Sequence, residues 1–253
     1  MRLTLTLCLA AALAACAPTG ETGSAPSATN DYAAALADPQ RPAADRDRDA
    51  ARKPDEILAF AQIAPGEKVG DYIMGGGYWT RILSNAVGPQ GKVYAFQPDE
   101  FIGFRPAYGD EQNAAASGRV NVVPLRGPVS APPFPEKLDT IITVQNMHDL
   151  YIGAMPQGTG PKALKALFAA LKPGGTLLVV DHSAAAGAGL AAANTLHRMD
   201  RDAAIAALTA AGFRVEAESA VYIRPDDPRT ANVFDPAIRG KTDQFVLRLR
   251  KPG

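Results

Sequence analysis

Thiols are scarce in this 253-residue chain: its two cysteines, Cys8 and Cys16, both fall within the first sixteen residues. Residues 17–253 therefore offer no disulfide, no cysteine zinc site and no cysteine nucleophile. Charge of either sign is not in excess, with 26 basic against 26 acidic side chains. A chain without net charge has no broad attraction to nucleic-acid phosphates, so no nucleic-acid partner is expected. Histidine is limited to His148, His182 and His197. There is no internal repeat and no Gly-Lys-Ser/Thr phosphate loop. What remains, 47% hydrophobic and 21% charged residues, is an ordinary globular composition that excludes disorder, collagen and coiled coil. The length suits one α/β domain or two small ones. Chemistry has to come from His, carboxylates, Arg, Tyr or a cofactor.

Met1 to Ala15 carries a basic start at Arg2, an apolar stretch too short to span a membrane as a helix, and small residues before Cys16. This is the pattern of a secretory signal peptide. Leu13-Ala14-Ala15-Cys16 resembles a bacterial lipobox, which implies cleavage before Cys16, a diacylglycerol on its thiol, and a place on the periplasmic face of the membrane. Ala17 implies outer-membrane sorting, with membrane contact only through the lipid. After Cys16, residues 17–30 are mostly Pro, Gly, Ser, Thr and Ala with almost no large apolar residue, which makes 16–30 a lipidated cysteine and a tether. The domain is expected over 31–253, opening with a helical segment, 31–63. In it the dense charges Asp45, Arg46, Asp47, Arg48, Asp49 and Arg52 read as a solvated surface helix.

Beyond this segment, β-rich runs alternate with helical patterns, the signature of a mostly parallel sheet covered by helices. Strands are expected at Lys68–Ile73, Lys92–Gln97, Val120–Val123, Leu138–Val144, Thr176–Asp181, Phe213–Tyr222 and Gln244–Leu249. A helix over Pro161–Leu171 is stopped by Pro173-Gly174-Gly175, and another starts with Asp200 as N-cap and ends at Gly212. No helix separates the last two strands, so they should pair antiparallel at one edge.

The first strand runs into Met74-Gly75-Gly76-Gly77 and a helix from Tyr78. Such a turn, at the carboxyl end of a strand, is where open α/β sheets bind ligands. Thr80 stands where a dinucleotide fingerprint needs glycine, and Gln97 where it needs an acid, which argues against NAD.

Three segments in order, VGDYIMGGGYWTRILSNAVGPQGKVYAFQP, LDTIITVQNMHDLY and LKPGGTLLVVDH, resemble class I S-adenosylmethionine (SAM) dependent methyltransferases over residues 45–253. TLHRMD and NVFDPAIRGKTDQFVLRLRKPG further resemble a group of predicted exported, lipoprotein-like methyltransferases. The resemblance implies a Rossmann-like, doubly wound α/β fold with seven mostly parallel strands in order 3-2-1-4-5-7-6, the last strand antiparallel and helices on both faces. It implies SAM as cofactor, with Asp71 at the amino group and the turn Gly75, Gly76, Gly77 against the methionine portion. Gln97 would meet the ribose, and Gln145 and Asn146 would border the methyl group. Two departures stand out: Ile73 replaces the family's first glycine, and Gln97 its acidic ribose partner. Gln97 lacks the charge-assisted bond that roughly doubles such a contact.

His148 and His182 lie past the ends of adjacent central strands and should open toward one crevice. Methyl transfer draws mostly on positioning, with a base adding a smaller factor. His148, beside Asp149, is the first candidate base and His182 the second; each also reads as a strand-end cap. Asp149, Asp181, His148 and His182 match no metal motif, so no metal site is assigned. His197-Arg198 reads as pocket lining or as a surface cap. The long connection Ile223–Lys241, with Asp235, Arg239, Lys241 and the adjoining Asp243, is expected to fold over or brace the site. The function expected is methyl transfer to a small-molecule acceptor. The alternative is a non-catalytic periplasmic binding protein that retains the fold, and Ile73 and Gln97 favour it.

Overall fold

The computed structural model describes residues 32–253. The expected signal peptide, lipobox at Cys16 and tether lie outside the described residues. No helix among the described residues is long and apolar enough to cross a membrane.

Seven strands form one sheet: β1 (Lys68–Tyr72), β2 (Lys92–Pro98), β3 (Val122–Gly127), β4 (Leu138–Val144), β5 (Leu171–His182), β6 (Arg214–Ser219) and β7 (Gln244–Arg250). Their order is β3-β2-β1-β4-β5-β7-β6. The first five are parallel to one another, and β7 runs antiparallel to both β5 and β6. The expected topology is the observed one.

Central strands are buried on both faces, which explains their near-continuous apolar runs. Along β5, Leu177 and Val179 join one core cluster and Leu178 and Val180 the other. Helices α8 (Thr159–Ala170) and α10 (Arg201–Ala210) cover the first face through Leu164, Leu167 and Leu208. Helices α4 (Pro54–Ala61) and α5 (Tyr78–Val87) cover the second through Ile57, Leu58, Ile82 and Leu83. Asp200 caps α10 as expected, accepting from Asp202 N at 2.9 Å.

Several strand boundaries differ from those expected, β6 ending at Ser219 short of Tyr222 among them, and two of the shifts have clear physical reasons. β3 extends through Pro124 because it is an edge strand, where a missing N–H costs no ladder bond. β5 begins at Leu171, which pairs with Leu138 before a register shift that absorbs Pro173-Gly174-Gly175. The single helix expected from Asp31 to Arg52 is instead, over the described residues, a series of four-residue turns, α1 (Ala33–Leu36), α2 (Ala43–Arg46) and α3 (Asp49–Arg52).

β1 has β2 on one side and β4 on the other. The chain therefore switches direction of winding between β1 and β4, the place where open sheets form a crevice.

Candidate active site

The floor of the crevice begins at β1. Asp71 is buried, and its Oδ2 accepts the Thr80 hydroxyl at 2.6 Å. Burial raises its carboxyl to about 6 against the opposing bond from Thr80. Ile73 follows with φ +62°, then Gly75 at +55° and Gly77 at +81°. A β-branched residue in the left-handed region is strained, and such strain gathers at functional sites. Ile73 thus holds the backbone shape that a glycine would supply freely. A Cβ on Gly75 would meet nothing within 4 Å, whereas one on Gly77 would lie 2.5 Å from the Ala115 Cβ. Gly75 leaves space open, and Gly77 lets α5 pack on α7 (Ala107–Ala116).

The charged N-terminal turns fold over this floor, which corrects the expectation of a solvated helix in part: Asp45 is buried, while Arg46, Asp47 and Arg48 stay exposed. Arg41 is buried and pairs with Asp49 through both nitrogens at 2.9 and 2.6 Å. Asp49 also accepts the Tyr78 hydroxyl at 2.6 Å, and Asp45 holds Arg81 Nε at 2.7 Å. Arg81 in turn donates to Gly76 O at 2.7 Å, tying the strap to the glycine turn. The guanidinium carbons of Arg48 and Arg52 lie 5.3 and 4.7 Å from the centre of the Tyr78 ring. Burial, with Arg48 nearby, lowers Arg52 to about 10.

Across the crevice, Gln145 follows β4 at φ +63°, accepts from Arg52 Nη2 at 3.3 Å and donates to Gln244 at 3.1 Å. Asn146 donates to the Ile73 and Val144 carbonyls at 2.9 Å each. His148 opens the 3-10 turn His148–Tyr151. Asp181 grips it twice, at its backbone N and at Nδ1, both 2.7 Å. Its Nε2 lies 3.3 Å from Asp149 Oδ1, and His197 Nδ1 lies 3.4 Å from the same oxygen. Burial works to lower His148, but the two carboxylates outweigh it and bring it to about 10. Burial works to raise Asp149, yet His148 and His197 hold it near 2. His182 differs: burial lowers it to about 4, and its Nδ1 contacts Thr242 Oγ1 at 2.8 Å. The two rings are thus pushed in opposite directions, His148 up by its carboxylates and His182 down by burial.

Two adjoining cavities occupy the crevice. The smaller, about 340 Å³, is lined by Asp71, Gly75, Gly76, Phe101, Tyr108, Asn146, His148 and Asp149 among others. The larger, about 560 Å³, is lined by Ala51, Tyr222, Arg239, Gly240 and Gln244. Arg48, Arg52, Trp79, Val144, Gln145, His182, Val233 and Phe234 line both. Both volumes suit small molecules. Val233, Phe234, Arg239 and Gly240 come from the connection before β7, which therefore covers the crevice as expected. The brace is the buried pair Arg198–Asp227, at 2.7 and 3.0 Å, with Asp227 also accepting Asp243 N at 2.7 Å.

No family model matches the chain. The demethylmenaquinone methyltransferase of Geobacillus stearothermophilus is 27% identical over 132 residues, 51% of this chain and 50% of that protein. The chain thus spans about half the length of this curated relative. A SAM-dependent methyltransferase structure from Aquifex aeolicus superposes with a TM-score of 0.57 at 21% identity, covering 87% of this chain and 98% of that one. The [4+2]-cyclase SpnF superposes at 0.54 with 17% identity, covering 80% and 81%. The chain has the class I methyltransferase fold.

Within that fold, the sequence-predicted residues sort clearly. Asp71, Gly75, Gly76, Gln145, Asn146, His148, Asp149 and His182 converge on the smaller cavity. Gly77 does not line it; its lack of a Cβ serves helix packing. Gln97 lines neither cavity, being fully buried with both side-chain polar atoms unpaired among the described residues. Arg198 is a buried anchor rather than a lining or surface residue. Sequence reasoning missed Arg48, Arg52, Phe101, Tyr108 and Phe234. The i, i+4 spacing of Arg48 and Arg52 was the available signal for a shared face. A cyclase on the same fold shows that chemistry must be argued from the cavities.

Proposed function

We propose that the chain is a SAM-dependent methyltransferase whose acceptor is a small anion with a flat apolar part. The observation that carries this reading is the pair of adjoining cavities, 340 and 560 Å³, sharing a wall at the carboxyl ends of β1 and β4.

The residues of the smaller cavity fit SAM. Asp71 offers a carboxylate to an ammonium group, the open side of Gly75 admits a chain against backbone, and the α5 N-terminus favours a carboxylate. Phe101 and Tyr108 give apolar walls where β2 ends. Gln97 has an unpaired amide at that strand end, but it is sealed from the cavity, so a ribose contact needs the β2–α6 turn to move (α6, Asp99–Phe104). The bound sulfonium would supply an electrophilic methyl, which the acceptor's electron pair takes as the sulfur–carbon bond breaks.

The larger cavity presents Arg48, Arg52 and Arg239 with no carboxylate in its lining, beside Trp79, Tyr222 and Phe234. Guanidinium groups and aromatic faces together select a planar anion. His182 stands at the shared wall, where burial lowers its imidazole to about 4, too weak a base to draw a proton from a phenol, so the acceptor enters already as its anion and transfer rests on positioning. His148 is not free to act as a base either, since its two nitrogens both face carboxylates. The non-catalytic alternative loses one of its two supports, since Ile73 adopts the φ that glycine would.

The test incubates the chain with methyl-labelled SAM and a panel of aromatic carboxylates, phenols and matched neutral or cationic analogues. Transfer is expected to anionic members, with Arg239→Ala raising KM at least tenfold and leaving SAM affinity unchanged. Transfer confined to neutral or cationic members would refute the acceptor class. The reading includes export with a lipid on Cys16. Mass spectrometry of the mature protein should find Cys16 acylated at the N-terminus, and an unprocessed or lipid-free chain would remove the anchor.

A further inference from the structure

We propose that His148 Nε2, Asp149 Oδ1 and His197 Nδ1 form a binding site for one zinc ion or a similar divalent transition metal. The site stands whichever molecule fills the cavities, because the groups that define it and the experiment that tests it concern the metal alone.

Two of the three separations are those of ligands on one ion. The three atoms lie within 4.8 Å of one another, with His148 Nε2 and His197 Nδ1 at 3.3 and 3.4 Å from the Asp149 oxygen. A tetrahedral ion bound at ~2.0–2.2 Å separates its ligands by about 3.3–3.5 Å. A charge-assisted hydrogen bond is shorter, ~2.7–2.9 Å, and the same His148 ring makes one at 2.7 Å to Asp181. His148 and Asp149 therefore sit at the separation of two ligands on one ion, beside a true hydrogen bond at its usual length.

One of the nitrogens is also unsatisfied. His197 Nδ1 is buried without a hydrogen-bond partner among the described residues. Its residue is held at φ +52° as the C-cap of α9 (Ala192–Leu196), with the ring 4.9 Å from that of Phe234. A buried ring nitrogen with no partner is costly, and a metal ion would satisfy it.

Outer support is already in place. A metal-bound imidazole characteristically donates its other nitrogen to a carboxylate, which fixes the ring. Asp181 does this for His148 Nδ1 and also receives the His148 backbone N–H. Two His and one carboxylate with an open fourth position is the donor set of catalytic zinc. His148 and Asp149 line the smaller cavity, so an ion held by them borders that cavity. The metal takes the place of the Nε2 proton, which leaves to solvent.

The test strips the untagged chain with chelator and titrates Zn²⁺ by calorimetry, then Co²⁺ by visible absorption. One equivalent per chain is expected, with the intense bands of four-coordinate cobalt. His197→Ala, at a partly exposed position, should weaken Zn²⁺ binding at least tenfold while circular dichroism stays unchanged. Asp181→Asn should weaken it ~10–100-fold through loss of outer support. No stoichiometric uptake by folded chain would overturn the site. Binding that His197→Ala and Asp149→Asn leave intact would place the ion elsewhere and overturn the site equally.

Discussion

Asp71 combines two roles that pull against each other. Its burial raises the carboxyl from 3.8 to about 6, so between these values the folded state holds a proton that the unfolded state has lost. Stability from this group is full below pH 3.8 and declines as pH rises to about 6. Asp71→Asn keeps an acceptor for Thr80 and removes the buried charge. It is expected to raise stability at pH 7.5 by about 1–3 kcal/mol, read as a higher Tm, with no gain at pH 3.5. The two glycines separate in the same way. Both carry positive φ, so either Ala variant costs ~1 kcal/mol in the backbone. Gly77→Ala also drives a Cβ into Ala115 and should lower Tm much further, whereas Gly75→Ala should mainly reduce SAM affinity. Thermal unfolding beside a SAM titration of both variants checks this contrast.

Among the elements, the N-terminal strap and the connection before β7 enclose the crevice, and each is held by buried ion pairs. The connection depends on Arg198, whose guanidinium also donates to the Ser183 and Ala231 carbonyls at 2.9 and 2.8 Å. Arg198→Ala leaves Asp227 buried without its cation, which should cost about 3–5 kcal/mol. Differential scanning calorimetry would show the fall, and hydrogen exchange should show faster exchange at residues 227–241. The strap was the least legible element. Alternating charges have the same pattern whether they face water or a cavity, and Asp45 finds Arg81 36 positions away. The connection was legible as a cover because nineteen polar, Pro-rich residues exceed what a hairpin needs.

For the whole molecule, alternation of strands and helices was readable because a sheet buried on both faces needs apolar runs. The antiparallel edge followed from the missing helix before β7. Strand order came only with the family resemblance. At the crevice, residues at strand ends were legible because topology sends them there, as for Asp71, Gln145 and His148. His197 was not placed, since it reaches Asp149 from 48 positions away through a capped helix end. Gln97 was misplaced because strand position alone does not say whether a side chain reaches the cavity.

The most direct test of the account is calorimetric titration of SAM into the purified chain at pH 7.5 and pH 5, with Asp71→Asn in parallel. Saturable one-to-one binding is expected at pH 7.5, weaker binding at pH 5 where Asp71 holds its proton, and at least tenfold weaker binding in the better-folded variant. No binding to the folded native chain, or equal affinity in Asp71→Asn, would contradict it.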